Sequence, residues 1–180
     1  MLLLSQSAHG FVHPITGLSN MCVGSSALYG DSTWGGTWSC SDSTIGLIDA
    51  AGNFFAVGAG TLIITYTVGV ESATKTATIY PIPPPITGPS FVCAMDTIHL
   101  TNGMPGGIWR TQDASIVTVN SIGIVTGVSS GTKVISYTVN GCYVFSLITV
   151  FNNDPIIGPN TICLGDSIAI SDSIPGGRWT

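Results

Sequence analysis

The sequence predicts an all-β protein made of tandem antiparallel β-sandwich modules. Three observations carry this: a composition poor in helix formers, an internal repeat of about 70 residues, and short β-branched runs punctuated by glycine turns. Only 7% of the 180 residues are charged against 44% hydrophobic, and Gly, Thr, Ser, Val and Ile dominate. Four Lys plus Arg against nine Asp plus Glu give a net charge of −5, which argues against nucleic acid or an anionic membrane surface as a partner. No apolar run reaches the roughly 18 residues a membrane-spanning helix needs, so the fragment is not expected to insert in a membrane.

The chain opens with Met1-Leu2-Leu3-Leu4, which lacks the basic flank and the length of an export signal. Residues 1–14 therefore read as a leader or disordered N-terminus. Ile15-Thr16-Gly17 then recurs as Ile86-Thr87-Gly88, 71 residues on, and as Ile156-Ile157-Gly158, 70 residues further. Cys22 matches Cys93 and Cys163. Gly35-Gly36-Thr37-Trp38 matches Gly106-Gly107-Ile108-Trp109, and Ile64-Thr65-Tyr66-Thr67-Val68 matches Ile135-Ser136-Tyr137-Thr138-Val139.

This divides the chain into module one (15–81), module two (86–152) and a truncated start of module three (156–180), in which Pro175-Gly176-Gly177-Arg178-Trp179 returns before Thr180. A sandwich does not close after three strands, so the sequence reads as a fragment of a longer protein whose modules are monomeric units. The second repeat supplies strand runs at Thr97–Thr101, Gly107–Thr111, Ile116–Val119, Ile122–Val125, Lys133–Val139 and Tyr143–Val150. Asn102-Gly103, Pro105-Gly106-Gly107, Ser129-Ser130-Gly131 and Asn140-Gly141 are the turns between them. About seven short strands per 70 residues is the density of a small sandwich. Pro81-Ile82-Pro83-Pro84-Pro85 and Asn152-Asn153-Asp154-Pro155 interrupt it as stiff links.

The series Ile-Thr-Gly-Pro, Cys, Pro-Gly-Gly-x-Trp, Gly-Ile-Val-Thr-Gly-Val, Gly-Thr, Ile-Ser-Tyr-Thr-Val and Gly-Cys, read from Ile86 to Cys142, resembles the bacterial Ig-like domains of group 2. The resemblance runs from Ile15 onward. It implies an intimin- or invasin-like immunoglobulin sandwich, used for adhesion or as a stalk in a secreted or cell-surface bacterial protein. The residues themselves offer no pattern of nucleophile with base or of paired carboxylates, so neither enzyme activity nor a cofactor is expected. Repeat one departs from the pattern: Glu71 stands where repeat two has Cys142, and Cys40 stands opposite Thr111.

Five cysteines in an acidic, repeat-built chain point to disulfides. The expected bridge joins Cys93 to Cys142, an early strand to the turn between the last two; two buried thiols are the competing reading. Cys22 with Cys40 is an open pairing, and Cys163 has no partner in the fragment. No Cys or His spacing suggests zinc.

Trp38, Trp109 and Trp179 share one repeat position after the Gly-Gly turn, where a sandwich buries a core tryptophan. Trp34 replaces Pro105 in the preceding turn. With Tyr29 it is the candidate ligand contact, a ring able to stack on a sugar, and the partners it suggests are host or environmental glycans or surface proteins.

His9 and His13 fall in the leader, and His99 has no repeat counterpart. Asp42 and Asp113 share a repeat position, as do Asp96 and Asp166, and a repeated Asp is expected from a repeated turn rather than from catalysis. No Asp-x-Asp-x-Asp-Gly loop supports calcium, and near the second link only Asn152, Asn153, Asp154 and Asp166 could contribute ligands. A structural or adhesive repeat is the leading expectation. A carbohydrate- or protein-binding accessory module of a larger secreted protein or hydrolase is the second.

Overall fold

Inward and outward positions alternate along the long strands of this molecule. The computed structural model describes residues 12–152, 154–172 and 178. The described chain is all-β and divides into two compact units. One comprises the chain up to Pro83 with Val139–Tyr143, the other Pro84–Thr138 with Val144 onward.

In the first unit the strands are β1 (Asn20–Cys22), β2 (Ser26–Leu28), β3 (Thr37–Cys40), β4 (Gly46–Ile48), β5 (Asn53–Ala56), β6 (Gly60–Val68) and β7 (Glu71–Tyr80). A four-stranded sheet runs β1-β7-β6-β3 and a three-stranded sheet runs β2-β5-β4. Inward positions alternate along the strands, as the pleat requires. Leu62, Ile64 and Tyr66 of β6, Ala77 and Ile79 of β7, Phe54 and Ala56 of β5, and Met21 of β1 form one buried cluster.

The second repeat follows the same plan. Its strands are β8 (Phe91–Cys93), β9 (Thr97–His99), β10 (Ile108–Thr111), β11 (Val117–Val119), β12 (Ile124–Gly127), β13 (Gly131–Val139) and β14 (Cys142–Phe151). The sheets run β10-β13-β14-β8 and β11-β12-β9. Val92, Leu100, Val117, Val125, Ile135, Ile148 and Val150 are its core. Among the described residues no polar or charged residue is buried in either core.

The six strand runs expected in the second repeat appear as β9 to β14, with ends shifted by up to two residues. The short opening strand β8 had no run long enough to signal it. That strand is also the departure from a purely antiparallel plan: β8 lies parallel to β14, pairing Thr149 with Phe91 and Phe151 with Cys93. β1 lies parallel to β7 in the same way, from Asn20 opposite Thr78 to Cys22 opposite Tyr80.

The β13–β14 turn is the two-residue Asn140-Gly141 hairpin with φ of +50° and +84°, the pattern of a type I′ turn. Val12 packs on the first core, and the His13 N–H donates to the Thr33 hydroxyl at 3.2 Å. Met1–Leu4, His9, Pro175–Gly177 and Trp179 lie outside the described residues. The third repeat reproduces its opening bridge, Ile157 with Ser171, just as Thr16 pairs with Gly30 and Thr87 with Thr101.

Candidate functional site

The repeated Gly-Gly-x-Trp signature and the repeated Tyr meet in space, and each copy forms a closed hydrogen-bonded knot. In the first unit the hydroxyl of Tyr66 accepts the Gly36 N–H at 2.9 Å and donates to the Thr33 carbonyl at 2.8 Å. In the second the hydroxyl of Tyr137 accepts the Gly107 N–H at 2.8 Å and donates to the Met104 carbonyl at 2.6 Å. Register places the tryptophan directly across from this tyrosine, Trp38 opposite Tyr66 and Trp109 opposite Tyr137. The ring centroids are 4.6 Å apart in both pairs.

The two tyrosines, not the tryptophans, are the buried members of these pairs. Trp38 and Trp109 are half-buried lids on the cores, which corrects the expectation of a core tryptophan. Both sit on the strand next to the turn and are partly exposed. The signal for the tyrosine was its recurrence at the same repeat position.

Trp34 and Tyr29 do not form a joint surface. Trp34 is 93% exposed in its turn, while Tyr29 is buried at 1% exposure and stacks edge-on against Phe54 at 5.6 Å. The Tyr29 hydroxyl donates to the Leu18 carbonyl at 2.5 Å, and burial raises its pKa above the ordinary phenol value. Tyr29 is therefore a core residue and not a ligand contact. Its repeat counterpart is Leu100, equally buried.

The disulfide joins Cys22 to Cys142, with Cα atoms 5.7 Å apart, and lies in the first unit together with the Val139–Tyr143 hairpin tip. Cys93 is free, so the expected Cys93–Cys142 bridge is overturned. The reason is register. Cys93 faces Phe151 at the far end of the ten-residue strand that Cys142 begins, about 30 Å away, whereas a disulfide needs Cα atoms within roughly 7 Å. Cys22 likewise does not pair with Cys40, whose thiol is free, donates to the Gly46 carbonyl at 2.9 Å and has a pKa raised by burial. Cys163 is free and exposed.

The carboxylates act on their own turns. Asp42 Oδ1 accepts the Thr44 N–H at 2.8 Å and its hydroxyl at 2.6 Å; Asp113 Oδ1 does the same with Ser115 at 3.0 and 2.7 Å. These bonds hold both carboxyls below the ordinary Asp value, with Lys133 adding to the effect at Asp113 from 3.2 Å. Asp49 serves the next turn by accepting from the N–H groups of Ala51 and Asn53, both at 2.9 Å.

His99, Asn102, Trp109 and Tyr137 line one shallow open depression. His99 Nε2 is spent on the Ile122 carbonyl at 3.0 Å, and Asn102 donates to the Pro84 carbonyl at 2.6 Å. No group of three His, Cys, Asp or Glu side chains able to hold a metal ion occurs among the described residues. Among the described residues no helix is long and apolar enough to cross a membrane.

One surface distinguishes the repeats. On β14 the outward residues Tyr143, Phe145, Leu147 and Phe151 are exposed, and Phe91 of β8 lies beside Phe151 with ring centroids 6.5 Å apart. The matching positions of the first repeat are Ser72, Thr74, Thr76, Tyr80 and Asn20. Sequence reasoning read this run only as a strand, because alternation with apolar residues on both faces hides which face is outward.

No protein-family model matches the sequence, and no curated protein matches it. Among solved structures the chain is similar to the C-terminal 282-residue fragment of intimin in complex with the intimin-binding domain of the translocated intimin receptor. The identity is 14%, the match covers 83% of this chain and 67% of that one, and the TM-score is 0.57. Domains 4 and 5 of the S-layer protein SbsC match at 13% identity over 78% of this chain and 99% of that one, with a TM-score of 0.38. Extracellular domains 3–5 of Drosophila OTK match at 13% identity over 73% and 57%, with a TM-score of 0.39. The last two are too loose to add to the first. The intimin likeness, with the paired four- and three-stranded sheets, establishes the fold: tandem immunoglobulin-like β-sandwich modules.

Proposed function

We propose that the chain is a non-catalytic extracellular repeat of the bacterial Ig-like group 2 type, acting as a stalk or spacer in a surface or secreted protein. Residues 15–81 and 86–152 are its modules, and the Pro81–Pro85 segment sets their spacing. The observation that carries this reading is where the repeated signature goes. In both copies the Gly-Gly turn, the tryptophan and the tyrosine are consumed in one closed internal knot, so what recurs is the means of holding a sandwich together. A disulfide between the first strand of one repeat and the hairpin of the next supports an oxidising, extracellular location.

A second reading, a contact module for a surface protein or a glycan, is favoured by one observation, the full exposure of Trp34 on a turn. The intimin fragment of similar fold is bound to a receptor domain, which lends weight to a protein partner. Beads coated with the chain separate the two readings. A spacer leaves them no more adherent to cells or polysaccharide than albumin-coated beads. Adherence that disappears in Trp34→Ala would replace the spacer reading with the contact one.

A further inference from the structure

Cys22 and Cys93 occupy the same place in their repeats, and only one of them is used. Each ends the short first strand, facing Tyr80 and Phe151 respectively across a parallel register. Each is followed by the same turn, in which Ser25 or Asp96 donates its N–H to the cysteine carbonyl at 3.1 Å. The next residue, Val23 or Ala94, donates to the carbonyl of the facing residue, Tyr80 at 3.0 Å or Phe151 at 2.7 Å. At Cys22 the place is filled: Cys142, from the Asn-Gly-Cys turn of the following repeat, bonds its sulfur and sits 3.9 Å from the Tyr80 carbonyl.

At Cys93 the thiol is free and half-buried, and its surroundings are more apolar than at Cys22. Phe91 on the same strand and Phe151 opposite in register are exposed, as is Met95 two residues along the chain, where the first repeat has Asn20, Tyr80 and Gly24. Met95 holds a φ of +74°, a conformation that L side chains rarely adopt, and 88% of its surface faces solvent. An exposed apolar cluster around a thiol is the expected look of a docking surface without its partner.

We propose that Cys93, with Phe91, Met95 and Phe151, is the docking and bonding site for an Asn-Gly-Cys β-hairpin turn of the Asn140–Cys142 kind, presented by another repeat of this type. The bond forms when the two thiols lose two protons and two electrons to a disulfide donor, which is reduced to two thiols. The first repeat carries Glu71 at its own hairpin, so it receives such a turn and offers none; the second both offers and receives. The site does not depend on the spacer reading, since adhesive behaviour of coated beads would leave the thiol chemistry unchanged.

The test uses the full chain with Cys40→Ser and Cys163→Ser, which leaves Cys93 as the free thiol beside the intact Cys22–Cys142 bond. The probe is a synthetic peptide of residues 135–147 whose cysteine is activated as a mixed disulfide with 2-nitro-5-thiobenzoate. The Cys93 thiolate attacks the peptide sulfur and nitrothiobenzoate leaves with the electron pair. The expected result is one peptide per chain, mapped to Cys93, captured about tenfold faster than a scrambled peptide of the same composition. Phe91→Ser with Phe151→Ser should remove that advantage, read as the ratio of hairpin to scrambled-peptide rates on the same variant. Equal rates for hairpin and scrambled peptides, or Cys93–Cys93 dimers as the main product, would overturn the proposal.

Discussion

Gly107 donates its N–H to the Tyr137 hydroxyl at 2.8 Å, and a Cβ placed on that glycine would overlap the tyrosine ring. Gly36 and Tyr66 stand in the same relation in the first unit. The turn and the strand are thus fixed to each other by one hydroxyl. Tyr137→Phe leaves the Gly107 N–H and the Met104 carbonyl without their partner, and should cost about 1–3 kcal/mol. Denaturant melts of the variant, and of Tyr66→Phe, read this directly; unchanged midpoints would mean that the turn is held by other contacts.

Two glycines with the same positive φ should respond differently to alanine. Gly123 has φ +84°, and a Cβ there would overlap the Leu100 carbonyl, while Gly141 has φ +84° with open space around it. Gly141→Ala should cost about 1 kcal/mol for the left-handed backbone alone. Gly123→Ala should cost clearly more, because the main chain at Leu100, just past β9, must also move. Equal losses would show that the close approach is not tight in solution.

Trp109→Ala removes a half-buried ring that covers Tyr137 at a centroid distance of 4.6 Å. A fully buried aromatic would cost about 3–5 kcal/mol, so the expected loss is smaller, about 2 kcal/mol. A loss at the top of that range would place the indole in the core after all. Thermal unfolding followed by tryptophan-independent circular dichroism measures it.

Acid should weaken the turns held by Asp42, Asp49 and Asp113. Their pKa values are lowered in the folded chain, first by side-chain hydrogen bonds from Thr44, Asn53 and Ser115. A lowered folded value means the contribution is present above the ordinary value of 3.8 and is lost as pH falls through the folded one. Asp113→Asn should therefore flatten the acid limb of stability while changing little above it. A titration of the melting midpoint from neutral to strongly acidic pH shows whether the limb flattens.

Peptide mapping without reductant should recover one linked pair containing Cys22 and Cys142, with Cys40 and Cys93 alkylated after unfolding. Recovery of a Cys93–Cys142 pair would reverse the assignment.

The sandwich was legible because the repeat sets strand residues and turn residues side by side at a fixed spacing, so each β9–β14 run is seen twice. Repetition also held a signal that went unread: Tyr29 stands at the position of Leu100, and a position that accepts either residue is a core position rather than a binding one. The disulfide was not legible. Loop closure changes only slowly with loop length, so spacing favours neither cysteine strongly. What decides is the register that carries Cys93 to the opposite end of β14 from Cys142. The exposed Phe91–Phe151 surface was hidden for a related reason, since strand alternation marks two faces without saying which one meets water.

The parallel pairing of first and last strands has a mechanical meaning. Because β1 runs alongside β7 in the same direction, the chain enters at one end of the pair and leaves at the other. While the Cys22–Cys142 bond is intact, tension entering through β1 passes across it to β14 and bypasses residues 23–141; once it is reduced, tension applied through the chain slides the two strands past each other. The Thr78–Ser19 and Val23–Tyr80 main-chain bonds that flank the pair resist together instead of opening one at a time. The same holds for β8 and β14, where Thr149–Ser90 and Ala94–Phe151 take those places. The disulfide is thus a mechanical switch: reduction alone brings both strand pairs under load, and each is then loaded in shear rather than by unzipping.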